Sequence, residues 1–559
     1  MIPLLALLAC HRAPEPADLV LTGGPVYTMA GSVAEGVAIR DGVIVAVGTA
    51  EEVAAYAGAG TTEVSLAGHA LFPGFIDAHT HPAWSGTELR DVDLYEATTV
   101  QELLDAISAW AAASPDAPWI RGGGWDVSRF NDSLNHGQLD AITGDRPAIL
   151  ASADAHSAWV NALALAAAGI TADTPDPEGG IIERDTDGAP TGVLRETAAD
   201  LVWDILPEWD EAQIDGGLQD ALTEASSYGL TGLVDANAWD AMLAGYARAE
   251  AKGTLTARIW AAGEVTPGED PVPMLDDLRT TYAGDRLQLT QGKLYLDGVI
   301  ESETATMLEP YEDGTNGEAL YTDAEVLDAI TALDDAGYQI HAHAIGDGAV
   351  RQILDGLDAL EAARGPADRR PLLAHLEVVD PADWDRFAGL DATADIQMLW
   401  AYPDPYIVDW TIPYIGETRA AWLYPFAGLA DAGARLAAGS DWSVTTMNPW
   451  EAIEVAVTRQ DPYEGGDPLN AEQAISLWAA LGAYTREAAI AIHEEDRLGT
   501  LEVGKAADLV WVDRDPFAIP VEDLSDVQVL GTWVDGARVY PGDGTARRAR
   551  RARRDPHGR

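Results

Sequence analysis

The sequence predicts an α/β protein: a (β/α)8 TIM barrel with an inserted subdomain, and a small β-sandwich domain formed by the N- and C-terminal segments. Three observations favour this fold. Eight short apolar segments alternate with long helical stretches along the middle of the chain, a pattern typical of a closed parallel barrel. The 559 residues are too many for one ordinary domain. Hairpin signals occur near both ends of the chain.

The two ends of the chain share one sequence style. Asp-Gly pairs at 41–42 and 535–536 separate short apolar runs, and Asp-Gly between such runs predicts a β-hairpin. We therefore assign residues 18–72 and 498–542 to one composite β domain. Residues 1–17 are interpreted as a lipoprotein signal and linker, and the arginine-rich run 543–559 as a disordered basic tail.

The barrel is predicted to occupy residues 73–497. The gap between its first two strands is too long for one βα unit, so residues from about 84 to 209 are predicted to form the inserted subdomain. The eight predicted strands are Gly74–His81, Leu230–Ala236, Ala257–Gly263, Leu289–Gly298, Tyr338–Ile345, Pro371–Val378, Ala392–Leu399 and Arg435–Ser440.

Charge and cysteine content narrow the possible partners. The formal net charge of −58 excludes general nucleic-acid binding and makes anionic membrane surfaces poor partners. It favours an acidic surface suited to high salt, with attraction of a cationic substrate as the other interpretation. The single cysteine, Cys10, excludes an internal disulfide framework. The segment 7–10 resembles a bacterial lipobox and predicts lipidation of Cys10, a membrane tether and a place in the cell envelope. A disordered start on a cytoplasmic protein is the alternative.

A histidine pair closes the first predicted barrel strand. Side chains alternate along a strand, so His79 and His81 point to the same face. Two imidazoles side by side at the C-terminal end of a barrel strand form a metal clamp. His343, His375 and Asp441 also lie at or near the ends of predicted strands. One of them alone could serve as a structural hydrogen-bonding group, but together they indicate a metal centre.

Lys293 lies inside the fourth predicted strand, where an unpaired charge is costly to bury. It is one of only three lysines among 34 basic residues. A neutral lysine can react with carbon dioxide to give an anionic carbamate that bridges two metal ions, which we favour. An ion pair with Asp297 or Glu301 is the alternative.

These residues lie in motifs that resemble the amidohydrolase superfamily, in its family-3 branch of N-substituted formamide deformylase-like enzymes. The resemblance spans about residues 17–542 and is specific for the family rather than for any substrate. The matching motifs are Pro73-Gly-Phe-Ile-Asp-Ala-His-Thr-His81, Lys293-Leu-Tyr-Leu-Asp-Gly298, His343-Ala-Ile-Gly-Asp347, Gly439-Ser-Asp-Trp442, Gly123-Gly-Trp-Asp126, Ala155-His-Ser-Ala-Trp-Val-Asn161 and Gly504-Lys-Ala-Ala-Asp-Leu509.

The resemblance implies a role for each ligand. His79 and His81 would hold one metal ion, and His343 and His375 a second. Lys293, if carboxylated, would bridge the two ions, and Asp441 would contact metal and act as the general base. His341, two residues before His343 on the same strand face, could compete with it, although His343 is favoured. The donor set of nitrogen and oxygen atoms suits zinc, as one or two ions, with manganese, iron or cobalt as alternatives.

Several residues are candidates for the substrate pocket, with ordinary packing as the alternative for the tryptophans and for the residues of the insertion. They are Trp125, Asp126, His156, Asp297 and Trp442.

The resulting hypothesis is an enzyme that cleaves a non-peptide, amide-type C–N bond of a small N-acyl or N-formyl amine with metal-activated water. A deaminase, a cyclic-amide hydrolase or a dipeptidase of the same superfamily is the nearest alternative. A non-catalytic, surface-anchored binding protein is a remote one. A homo-oligomer remains open.

Overall fold

The computed structural model describes residues 14–541, apart from residues 96, 131–132, 154–156, 178–179 and 318. Cys10 and the arginine-rich run after residue 542, for which we predicted lipidation and disorder, lie outside the described residues. The chain divides into two compact units. The first contains the described residues up to Pro82 and from Ala221 onward, and the second runs from Ala83 to Asp220.

The described strands are numbered in chain order. They are β1 (Leu19–Tyr27), β2 (Val33–Arg40), β3 (Val43–Gly48), β4 (Thr62–Ser65), β5 (Leu71–Pro73), β6 (Phe75–Thr80), β7 (Val92–Asp93), β8 (Ile120–Trp125), β9 (Ala148–Ser152), β10 (Ser157–Val160), β11 (Gly180–Arg184), β12 (Pro190–Glu196), β13 (Leu230–Asp235), β14 (Arg258–Glu264), β15 (Leu287–Tyr295), β16 (Gln339–Ala344), β17 (Leu372–His375), β18 (Thr393–Ile396), β19 (Arg435–Ala438), β20 (Leu509–Val512), β21 (Val529–Val534) and β22 (Ala537–Tyr540).

The described α-helices are α1 (Ala50–Ala54), α2 (Pro82–Glu88), α3 (Val100–Ala113), α4 (Val127–Phe130), α5 (His136–Thr143), α6 (Ala162–Ala167), α7 (Thr197–Trp203), α8 (Glu211–Ser227), α9 (Asp240–Ala251), α10 (Val272–Tyr282), α11 (Asp323–Ala336), α12 (Asp347–Arg364), α13 (Trp384–Gly389), α14 (Ile412–Ala420), α15 (Phe426–Asp431), α16 (Pro449–Thr458), α17 (Leu477–Ala483) and α18 (Arg486–Ala491). Short 3₁₀ or π turns cover Pro381–Asp383, Met398–Trp400, Ile407–Thr411, Ala471–Gln473 and Val521–Asp526.

Eight parallel strands of the first unit form a nearly closed barrel, which confirms the predicted fold class. Their order is β6-β13-β14-β15-β16-β17-β18-β19. Between the last and first strands, the amide of Asp441 donates to the carbonyl of His79 at 2.8 Å, and the amide of His81 donates to the carbonyl of Trp442 at 3.1 Å. Gly439 permits this approach, because a Cβ there would lie 2.5 Å from the Cβ of His79. The gap in the barrel is therefore closed beside the histidine pair.

The terminal segments of the chain join in one β-sheet. Its strand order is β22-β21-β20-β5-β1-β2-β3, with β4 beside β1. Both predicted Asp-Gly turns are present: Asp41 and Gly42 have φ of 50° and 76°, and Asp535 and Gly536 have φ of 50° and 71°. Positive φ at both central positions is the requirement of a two-residue type I′ hairpin. Antiparallel pairing of β20 with β5 ties the C-terminal segment to the N-terminal one.

A buried ion pair connects this sheet to the N-terminal end of a barrel strand. Arg258, the first residue of β14, is only 4% exposed. Its guanidinium donates to the two carboxylate oxygens of Asp508 at 2.9 and 3.1 Å, and it also contacts Asp535. This pair lies at the opposite end of the barrel from the predicted metal ligands.

The second unit contains a sheet of its own, with strand order β11-β12-β10-β9-β8-β7. Its apolar core includes Leu103, Ile107, Trp125 and Trp159. Helix α3 begins with a capping box in which Thr99 and Glu102 exchange hydrogen bonds, an arrangement that satisfies two backbone donors at the start of a helix. In the part of the chain that the structure describes, no helix has both the length and the apolar character needed to span a bilayer.

Candidate metal centre

The predicted ligands converge at the C-terminal end of the barrel. His79 lies in β6 and His81 follows it directly, Lys293 lies in β15, and Asp441 lies just after β19. The imidazole Nε2 of His81 is 3.2 Å from Asp441 Oδ1, and the Nε2 of His79 is 3.7 Å from the same oxygen. The amine Nζ of Lys293 is 3.3 Å from His79 Nε2. One carboxylate, two imidazoles and one amine therefore share a single small space.

The other two predicted ligands adjoin this group. The ring of His375 is centred 4.8 Å from that of His79 and 4.5 Å from that of His343. His375 has a φ of 78° and Asp441 a φ of 51°, conformations that cost of order 1–3 kcal/mol for residues other than glycine and that cluster at functional sites. All six side chains that the sequence singles out as metal ligands are thus brought together.

Burial controls the protonation of the site. Burial lowers the pKa of Lys293 to about 8 and holds the pKa values of His79 and His375 well below their ordinary range. Burial alone would lower the pKa of His81 as well, but its contacts with Asp235 and Asp441 together raise it to about 9. The imidazoles of His79 and His375 are therefore neutral, whereas His81 carries a proton that a bound cation would displace.

Three carboxylates lie near the outer nitrogens of the histidine rings, and the one on His79 forms a hydrogen bond. Asp297 Oδ1 lies 3.2 Å from His343 Nδ1, Asp235 Oδ1 lies 3.8 Å from His81 Nδ1, and Asp395 Oδ2 lies 3.2 Å from His79 Nδ1. A carboxylate on the second ring nitrogen is the usual support of a metal-binding histidine, because it fixes the tautomer and orientation of the ring.

Asp235 and Asp395 were missed by the sequence analysis. Asp235 lies near the C-terminal end of its predicted strand, so the screen applied to histidines would also have selected it. Asp395 lies in the middle of the predicted strand Ala392–Leu399 and near the end only of the observed strand β18, which is shorter. Asp297 was predicted as a substrate contact. Its oxygens accept backbone amides of Ile345, Gly346 and Thr306 at 2.9–3.1 Å, so the contacts of the free enzyme give it a supporting role, and a substrate contact stays a prediction.

His341 lies on the same strand as His343 but closer to its N-terminal end. Its Nε2 is 3.0 Å from His79 Nδ1, and its Nδ1 is 2.8 Å from Gln291 Oε1. Two groups of described residues have the spacing of metal ligands: His79 with His81 and Asp441, and His79 with His341 and Asp395. The choice of His343 over His341 as the ligand stays a prediction.

The candidate pocket residues differ in what their surroundings allow. Trp125 is fully buried in the core of the second unit, and its indole donates to the carbonyl of Leu150 at 2.9 Å. These contacts support ordinary packing, the alternative to a role in the substrate pocket. Asp126 Oδ1 accepts the amide of Arg129 at 3.3 Å. His156 lies outside the described residues. Trp442 is 4% exposed, and its contact with substrate stays a prediction.

The donor set fits a divalent cation. The described ligands are imidazole nitrogens and carboxylate oxygens, with no thiolate among them, which suits zinc and its neighbours in the first transition series. His375 Nδ1 is buried and has no hydrogen-bond partner among the described residues. A buried polar atom without a partner is costly, and a cation at this place would supply one.

A barrel with this donor set at its mouth defines a metal-dependent hydrolase. The chain belongs to the amidohydrolase family, whose model matches residues 62–540. The prediction of the family-3 branch is confirmed, and with it an enzyme that acts on carbon–nitrogen bonds.

Individual relatives span almost the whole chain. It is 30% identical over 531 residues to YtcJ of Bacillus subtilis (strain 168), which covers 93% of this chain and 98% of the relative. It is 29% identical over 549 residues to N-substituted formamide deformylase of Arthrobacter pascens, with 94% and 99% covered. A crystal structure of an uncharacterized metal-dependent hydrolase from Pyrococcus furiosus superimposes with a TM-score of 0.73 at 26% identity, covering 89% of this chain and 99% of that one.

Proposed function

We propose that this chain hydrolyses the C–N bond of a non-peptide amide, an N-acyl or N-formyl amine, and that the ion at its mouth is zinc. The observation that carries the proposal is the buried convergence of His79, His81 and Asp441 beside Lys293. The similarity to N-substituted formamide deformylase, which extends over 99% of that enzyme, supports a formyl or small acyl group as the part of the substrate that is removed.

Asp441 is the residue that would move the proton. A divalent ion held by His79 and His81, with a second on His343 and His375, would supply Lewis-acid chemistry that makes water acidic enough to lose a proton near neutral pH. The Asp441 carboxylate, with Oδ1 facing the Nε2 atoms of His81 and His79 at 3.2 and 3.7 Å, takes a proton from the attacking water. It then donates that proton to the leaving nitrogen, so that an amine rather than an amide anion departs.

The proposal also includes carboxylation of Lys293. The amine of Lys293 would attack carbon dioxide, form one N–C bond and lose one proton, which leaves an anionic carbamate. Burial, which lowers the pKa of Lys293 to about 8, favours the neutral amine that this step needs. The alternative ion pairs with Asp297 and Glu301 do not occur among the salt bridges of the described residues. Asp297 instead accepts hydrogen bonds from backbone amides, including those of Ile345 and Gly346, and Glu301 accepts one from the hydroxyl of Thr411.

The test uses the full chain with zinc, manganese or cobalt added. Release of formate or acid from N-formyl and N-acyl amines is measured for the native chain, His79→Ala and Asp441→Asn. We expect a loss of at least about 10³-fold in kcat for each variant, because general-base and metal contributions are of that order. His136→Ala and Asp431→Asn, which change more exposed residues, are the matched controls and should retain native turnover.

The products separate this function from its nearest alternatives. A deaminase releases ammonia, a cyclic-amide hydrolase opens a ring without releasing an amine, and a dipeptidase releases two amino acids. Native turnover in His79→Ala or Asp441→Asn would contradict the metal-centre assignment. Turnover confined to one of the alternative substrate classes would contradict the assignment of the acyl or formyl amine.

A further inference from the structure

A line of hydrogen bonds inside the barrel begins at Gln339, the first residue of β16. Its side-chain Nε2 donates to the backbone carbonyls of Arg370 and Ala491, at 2.5 and 2.6 Å. Carbonyl oxygens only accept hydrogen bonds, so both contacts require the nitrogen side of the amide. The orientation of the Gln339 amide is therefore fixed, with its Oε1 turned away from these carbonyls.

The fixed oxygen orients a second amide on the neighbouring strand. Gln291 stands opposite Gln339 in the parallel register of β15 and β16, and its Nε2 donates to Gln339 Oε1 at 3.2 Å. The other end of the Gln291 amide, Oε1, lies 2.8 Å from His341 Nδ1. Because Gln291 is fully buried, water does not replace either partner.

The second amide sets the tautomer of His341. Gln291 Oε1 can only accept, so the hydrogen of the neutral His341 ring lies on Nδ1 and its Nε2 carries a lone pair. That lone pair lies 3.0 Å from His79 Nδ1, and Asp395 Oδ2 lies 3.2 Å from the same atom. Because the Nε2 of His341 can only accept a hydrogen bond, His79 carries its hydrogen on Nδ1. The Nε2 lone pair of His79 then faces Lys293 and Asp441.

We propose that Gln339, Gln291 and His341 are positioning residues that fix His79 in the tautomer able to bind a metal ion through Nε2. These three residues are here called the amide relay. Only His341 contacts His79, and none of the three would contact the ion. This inference rests on the proposed function, because it assumes a cation at His79 Nε2. It also assigns His341 to support rather than to ligation, which leaves His343 as the ligand on β16.

The relay excludes a cation between His79, His341 and Asp395. Such an ion would need a lone pair on His79 Nδ1, whereas the relay places a hydrogen there. A neutral imidazole has only one nitrogen with a free lone pair. If His79 binds a metal ion through Nε2, its Nδ1 carries the hydrogen and cannot bind a second ion. His341 is therefore the residue whose substitution separates them.

The test compares two substitutions of His341 in the full chain. In His341→Gln, the new amide can donate to Gln291 Oε1 and accept from His79 Nδ1, so the relay is preserved; in His341→Leu it is cut. Zinc affinity is measured by chelator competition, zinc stoichiometry by elemental analysis, and folding by circular dichroism. We expect His341→Leu to bind zinc about 10–100-fold more weakly at native stoichiometry, the usual cost of losing a supporting contact, and His341→Gln to bind within about threefold of native.

A remote variant tests the far end of the relay. Gln339, two residues before His341 in the sequence, anchors the Gln291 amide, and Gln339→Leu removes this anchor. We expect zinc affinity to fall severalfold, by at most about tenfold. Gln352→Leu is the matched control, because Gln352 also donates to a backbone carbonyl, that of Tyr321 at 2.8 Å, but lies outside the relay. It should bind zinc as the native chain does.

The tautomer is read separately in the metal-free chain, by 15N-histidine correlation spectra. We expect His79 to carry its hydrogen on Nδ1 in the native chain and in His341→Gln, and to become a mixture in His341→Leu. Loss of one zinc equivalent in both His341 variants would overturn the inference, because His341 would then be a ligand. Native affinity in both would also overturn it. Failure of the native chain to bind zinc would instead contradict the proposed function, while the spectra would still decide the tautomer.

Discussion

Replacing Arg258 by methionine is predicted to weaken the junction between the terminal β-sheet and the barrel. The change removes two hydrogen bonds to Asp508, which is itself only 5% exposed. A buried carboxylate that loses its partner costs about 3–5 kcal/mol. Asp508 keeps the backbone amide of Asp535 at 2.8 Å, and the second carboxylate, Asp535, is 39% exposed and so contributes little. We therefore expect a loss of about 3 kcal/mol, at the lower end of that range.

Thermal unfolding of the metal-free chain measures this loss. The unit that contains the barrel has about 400 described residues, for which ~3 kcal/mol corresponds to a decrease of roughly 3–4 °C in Tm. The double variant Arg258→Met with Asp508→Asn should recover part of the decrease, since no unpaired charge is left buried. Arg364→Met, which breaks an exposed pair with Asp335, is the control and should shift Tm by less than about 1 °C. Equal shifts in Arg258→Met and Arg364→Met would refute the reasoning.

Three further predictions concern the metal centre and the N-terminus. Contacts with carboxylates raise the pKa of His81 to about 9, so a cation must displace its proton. Zinc affinity should therefore rise about tenfold per pH unit from pH 6.5 to 8 and level off near pH 9. A zinc affinity, measured by chelator competition, that does not change with pH would contradict this prediction. Gly439→Ala places a Cβ 2.5 Å from the Cβ of His79, and it should lower zinc affinity by at least about tenfold. Gly389→Ala, with no atom near the added Cβ and no positive φ, is the control and should leave zinc affinity unchanged. Cys10→Ser should abolish recovery of the chain in washed membranes after expression in a bacterial host, and unchanged membrane recovery would exclude a lipid on Cys10.

The barrel was predictable because its strands are short apolar runs with long helices between them. The second strand was expected at Leu230–Ala236 and is observed at Leu230–Asp235. The sixth was expected at Pro371–Val378 but ends at His375, because His375 and Leu376 adopt positive φ. Residues other than glycine rarely adopt that conformation, so composition gives no signal for it.

The sheet of the second unit was not predicted in detail, for a reason visible in β8. That strand, Ile120–Trp125, contains three consecutive glycines, and glycine weakens a strand in isolation. The strand forms because β7 and β9 pair with it on both sides. Such pairing depends on residues distant in sequence, which the local pattern does not reveal.

The site could be predicted where its residues are rare. Eleven histidines are few enough that one at the end of a predicted strand is informative, and His79, His81, His343 and His375 were found in this way. Aspartate and glutamate together number 92, so Asp235 and Asp395 did not stand out. The amide relay could not be predicted from the sequence. Gln291 and Gln339 are seen to be hydrogen-bonded neighbours only when the register of β15 and β16 is known.

The most direct test of the central claim is an anomalous difference map at the zinc edge, from crystals of the full chain grown with zinc. We expect a peak about 2.0–2.2 Å from the ligand atoms of His79, His81 and Asp441, with His343 and His375 within reach of the same ion or of a second one. A map with no peak at these side chains, or with its only peak among His79, His341 and Asp395, would contradict the account.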